Sequence, residues 1–120
     1  MKKKGIKTIC FDIDGVICKI VRNNNYKNAK PLKKNIDIIN KLYEKGFNII
    51  LFTARYMGRS EQNIYLAKQR GFKLTSTQLK NWNVKYNKLI FGKPSFDLVI
   101  DDKSIFFKKR WSLILKKKLL

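Results

Sequence analysis

Residues 9–16 read ICFDIDGV: a short apolar run, two carboxylates one residue apart, then a glycine. Residues 6–12 have the character of a buried strand, and the Asp-Gly pair that follows is a turn signal. A second run, FNIILFTA over 47–54, is apolar without interruption, as a strand buried on both faces requires. KLIFG (88–92) reads as a third strand, and FDLVIDD (96–102) as a fourth that again closes on paired acids. Helical patterns lie between them. Pro31 opens one whose face carries Ile36, Ile39, Leu42 and Tyr43 and whose stop is Gly46. Residues 60–70 form a second pattern ending at Gly71, and 75–83 a third. Residues 16–30 hold two β-prone pieces about an Asn-rich turn and read as a small β-hairpin. Strands alternating with helices predict an α/β layer fold with a mainly parallel central sheet.

The composition bounds what such a fold can do. The chain has 120 residues, enough for one domain with a real core. It has no histidine, which excludes His-dependent triads and His-ligated zinc. Cys10 and Cys18 sit in apolar surroundings and suggest no disulfide framework. No apolar run approaches a membrane span, and the N-terminus meets charge too early for a signal peptide, so a cytoplasmic location is expected. The net charge of +20 invites a nucleic-acid or anionic-membrane partner. The plainer reading is a Lys/Ile/Asn-rich composition, with 15 Ile against 4 Val and the excess charge spread along the chain.

Against that excess, the 8 acids are few, and four of them fall in two clusters: Asp12 with Asp14, and Asp101 with Asp102. Both clusters lie at the expected carboxyl ends of strands, where parallel α/β sheets gather ligands. An oxygen-rich set of this kind suits Mg2+. Thr53 ends the second strand, and Lys93 follows the third. Carboxylates, a hydroxyl, an ammonium and a metal make a site for phosphoryl transfer. Asp12 is then the nucleophile and forms an aspartyl-phosphate. Asp14 protonates the leaving oxygen and afterwards activates water.

DIDG (12–15), FTAR (52–55), Lys93 in GKP and DLVIDD (97–102) together resemble, in order, the four motifs of haloacid dehalogenase-like (HAD) phosphatases. More narrowly, YKNAKP, FTAR, FGKP and VIDDKSI resemble small bacterial capsule biosynthesis phosphatases, a likeness covering about residues 6–106. The resemblance implies a Rossmannoid three-layer sandwich. It implies Asp12 as nucleophile, and Asp14 as acid/base lending its backbone carbonyl to the metal. Thr53 with Ala54 and Arg55 would meet the phosphate, and Lys93 would steady the nucleophile and the phosphoryl oxygens. The metal set would be Asp12, Asp14, Asp101 and Asp102, holding Mg2+. The expected activity is hydrolysis of a phosphorylated sugar, or a sugar-derived intermediate of capsular polysaccharide biosynthesis.

The gaps 12–53 and 53–93 leave no room for a cap domain, and capless members of this superfamily act on large substrates or close their sites by oligomerising, so a homo-oligomer is expected. Residues 1–106 are read as the phosphatase domain and 107–120 as a basic amphipathic helix. Its Phe107, Trp111, Ile114 and Leu115 share one face, which packs on the domain or a partner; contact with an anionic membrane is the competing use. Three other functions fit parts of the pattern. A nucleotidase or nucleic-acid-end phosphatase keeps the chemistry and uses the positive charge. A phospho-Asp receiver switch has its acidic pair first and its acceptor mid-chain, the reverse of the order here. A glycosyltransferase would leave Lys93 and the second acid pair without a role.

Overall fold

In the computed structural model, residues 5–105, 107 and 110–120 are described. Three parallel strands form one sheet in the order β1-β2-β3: β1 (Thr8–Phe11), β2 (Asn48–Thr53) and β3 (Lys88–Phe91). Helix α1 (Lys33–Glu44) joins the first two, and α2 (Ile64–Asn81) joins the second pair. This is a Rossmann-like α/β arrangement, closed by α3 (Trp111–Leu119).

One core holds it together. Ile9, Phe11, Ile49 and Leu51 lie in register on one sheet face. Against them pack Ile36, Ile39 and Leu42 of α1, Leu79 of α2, and Trp111, Leu115 and Leu119 of α3. The opposite face carries Cys10, Ile50, Phe52 and Ile90, and both Cys10 and Ile90 are exposed. The three-layer expectation is therefore met by two layers among the described residues. Gly46 does stop α1: its N–H donates to Tyr43 O, and that of Phe47 to Leu42 O, the crossed pair that closes a helix end.

Four expectations need correction. The hairpin over 16–30 is absent. Its base is pinched where Lys19 N–H donates to Lys30 O and Leu32 N–H to Ile17 O, but between them the chain makes two single-turn 3-10 helices. Asn23 and Asn24 adopt left-handed backbone, φ 53° and 52°, which asparagine tolerates and a ladder forbids. Second, residues 96–102 form no strand. Residues 92–95 are too few for a parallel crossover, which takes a dozen or more, and Leu98 and Ile100 stand 80% and 93% exposed.

Third, α2 is one helix rather than two, and Gly71 lies inside it. A Cβ on Gly71 would sit 2.4 Å from Cδ2 of Tyr56, so the glycine makes room for a ring and ends nothing. Gly71→Ala gains up to about 1 kcal/mol of helix propensity, whereas overpacking of this kind costs about 1–3 kcal/mol. Tyr56 cannot easily yield, being wedged against Tyr26 at 5.1 Å and under Arg59 at 4.6 Å. A net loss of stability in urea unfolding is expected; a stabilised variant would show that the ring moves freely.

Fourth, the C-terminal helix starts only at Trp111. Trp111, Leu115 and Leu119 are buried, with Trp111 5.8 Å from the ring of Phe11, while Phe107 and Ile114 are exposed. Lys116, Lys117 and Lys118 face solvent; Lys108 and Lys109 lie outside the described residues. Among the described residues no helix is long and apolar enough to cross a membrane.

Candidate active site

The three strands end side by side, and their next residues form one cavity. Past β1, Ile13 is wholly buried and its carbonyl accepts from the N–H groups of Val16, Ile17 and Cys18. With Ile13 plugging the core, Asp12 and Asp14 on either side both line the cavity. Past β2 come Ala54 and Arg55. Past β3, Gly92 at φ 104° turns the chain, and a Cβ there would meet Ile64 at 2.9 Å. That turn delivers Lys93, whose N–H donates to Thr53 O at 3.1 Å. The cavity has a volume of about 450 Å³, with Asp12, Asp14, Ala54, Arg55 and Lys93 in its wall and Phe96 beside Lys93.

Asp12 is held from two sides. Its Oδ1 accepts from Ile13 N–H at 2.8 Å, and its Oδ2 lies 3.3 Å from Lys93 Nζ. Burial pushes the carboxyl above its usual range, against the opposing pull of Lys93. Thr53 is fully buried, and its hydroxyl accepts from Arg55 N–H at 3.0 Å; the cavity wall carries Ala54 beside it rather than Thr53.

Arg55 is the surprise. Expected to meet substrate, its guanidinium is only 1% exposed as a residue and grips Asp14 instead, Nε to Oδ2 at 2.9 Å and Nη2 to Oδ1 at 3.0 Å. Burial pulls its proton affinity down, but the Asp14 hydrogen bonds and charge outweigh that and leave it raised. Gln78 and Thr75 of α2 receive Nη1, at 2.6 and 3.3 Å. Sequence reasoning missed both. The available signal was a small or polar stripe at 71, 75 and 78, on the face where an amphipathic helix should be apolar.

Asp101 and Asp102 are not brought to this cavity. Both are exposed, and Asp101 makes a local turn, accepting from Lys103 N–H at 2.9 Å. Among the described residues no group of three or more acids or thiols is placed to hold a metal ion. The two carboxylates in the cavity already face cations, Asp12 toward Lys93 and Asp14 toward Arg55.

No protein-family model matches the chain, and no curated protein matches it. Two solved structures are similar. A crystal structure from Vibrio cholerae has a TM-score of 0.77 at 23% identity, over 94% of this chain and 98% of that one. A chain of the Pnkp1/Rnl/Hen1 complex has a TM-score of 0.51 at 13% identity, over 98% of this chain and 36% of its own length. At such identities the likeness is one of fold.

Proposed function

We propose that the chain is a HAD-like phosphomonoester hydrolase working through an aspartyl-phosphate on Asp12. The observation that supports this most is the convergence of three strand ends, which sets Asp12, Asp14 and Lys93 around one cavity. In the proposed reaction an Asp12 carboxylate oxygen attacks phosphorus, and the ester P–O bond breaks. Asp14 gives its proton to the leaving oxygen, and Lys93 offsets the charge growing on the phosphoryl oxygens. Asp14 then takes a proton from water, whose oxygen attacks the acyl-phosphate; phosphate leaves and Asp12 is restored.

Mg2+ belongs to the proposal as the ion that neutralises phosphate charge, with Asp12, Asp14, Asp101 and Asp102 as its ligands by resemblance. Segment 96–105 would have to approach Asp12 for all four to take part, so no step above is routed through the metal. The proposed substrate is a phosphorylated sugar or sugar derivative of capsular polysaccharide synthesis, in the cytoplasm. The net charge of +20 favours a second reading, a nucleotide or a phosphorylated nucleic-acid end.

Turnover of sugar phosphates, nucleotides and 3′-phosphorylated oligonucleotides, compared at two salt concentrations, tests both readings. Release of phosphate from none of them would reject the hydrolase. Chelation is expected to remove activity and added Mg2+ to restore it; full activity in metal-free protein would remove the ion from the scheme.

A further inference from the structure

We infer that Arg55 is a positioning residue for Asp14, fixing the plane in which that carboxyl meets the cavity. This rests on the hydrolase reading of the site. A guanidinium has five N–H donors in a fixed plane, and a carboxylate about four lone-pair sites. Arg55 spends its fork on both oxygens of Asp14 and its remaining edge on Gln78 and Thr75. Its face lies 4.7 Å from the ring of Tyr26.

Those supports are themselves fixed. Gln78 Nε2 donates to Tyr26 O at 2.6 Å, joining α2 to the 22–28 loop. Arg55 is thus held by its edge and its face, and 1% exposure leaves almost no surface for a substrate oxygen. What the cavity meets is the carboxylate that Arg55 holds. A bidentate fork fixes the plane of the group it grips, as a point charge does not.

Both oxygens of Asp14 are engaged. Oδ1 accepts from Arg55 Nη2 and also faces the Cys18 thiol at 3.4 Å. Oδ2 accepts from Arg55 Nε at 2.9 Å. The fork thereby sets the direction from which the carboxyl meets the leaving oxygen in the first step and water in the second.

Arg55→Lys keeps the charge and loses the fork, so it separates positioning from charge. On an alkyl phosphate, kcat is expected to fall by about 10²-fold, the cost of a misplaced catalytic group, with KM little changed. An aryl phosphate with a good leaving group should lose much less in the phosphorylation step. Gln78→Leu, which leaves both charges in place, should move the same way to a smaller extent, and it decides the matter if Arg55→Lys does not fold. A rise in KM with kcat held would make Arg55 a substrate contact and overturn the inference. Equal losses on both esters would also overturn it, leaving Arg55 a purely structural role. A wild type inert toward both esters rejects the hydrolase reading instead. The clamp is then judged from the carboxyl carbon resonance of Asp14, which Arg55→Lys or Gln78→Leu shifts if the fork holds it and leaves in place if it does not.

Discussion

Asp12→Asn is expected to abolish turnover of an aryl phosphate, by about 10⁶-fold, the order seen when a nucleophile is removed. An amide oxygen is a poor nucleophile and yields no acyl-phosphate. The fold should be untouched. Among the described residues Asp12 caps no element, and its partners are the Ile13 N–H and the partly exposed Lys93, contacts an amide oxygen can retain. Stability should stay level or rise. Burial holds the Asp12 proton more tightly in the folded chain than in the unfolded one. Ionisation therefore costs folded stability once the pH exceeds the unfolded value, and a neutral amide removes that cost at pH 7. Folded Asp12→Asn protein with wild-type turnover would reject the nucleophile.

Asp14→Asn should behave differently although it lies two residues away. Loss of acid/base help costs about 10²–10⁴-fold in rate, and more for an alkyl than for an aryl leaving group. It should also unsettle the fold, because Asp14 is the carboxylate partner of a fully buried guanidinium. Removing one partner of a buried pair costs about 3–5 kcal/mol, and the lower end applies because the Asp14 side chain is 23% exposed. Urea unfolding and single-turnover kinetics on the two ester types check both halves. A variant as stable as wild type would show that Arg55 does not depend on Asp14. Equal kinetic losses would remove the acid role.

The sequence made some of this architecture readable and hid the rest for physical reasons. Strands β1, β2 and β3 were legible because unbroken apolar runs have few other uses in a short chain with so many charges. The convergence of Asp12, Asp14 and Lys93 was legible because parallel strands bring their carboxyl ends to one edge. What Arg55 does was not, since its partners lie 41 residues upstream at Asp14 and 20 and 23 residues downstream at Thr75 and Gln78. No local pattern encodes such a pairing. Gly71 misled for a related reason: a glycine that stops a helix and one that admits a ring look alike until the ring is located. Residues 96–102 have a strand's composition, but the connection before them is too short to lead into a parallel neighbour of β3.

The sheet face bearing Cys10, Ile50, Phe52 and Ile90, with the exposed Leu98 and Ile100, has a consequence for the protein as a colloid. Apolar patches of this kind attract one another, and the net charge of +20 holds separate molecules apart. The range of that repulsion is set by ions, falling from about 10 Å in 0.1 M salt to about 3 Å in 1 M. Dilute buffer is therefore expected to keep the chains dispersed, while concentrated salt, or a polyanion that cancels the charge, should let the apolar faces meet. Ionic strength, which often aids the dissolution of proteins, is expected to act here as a precipitant.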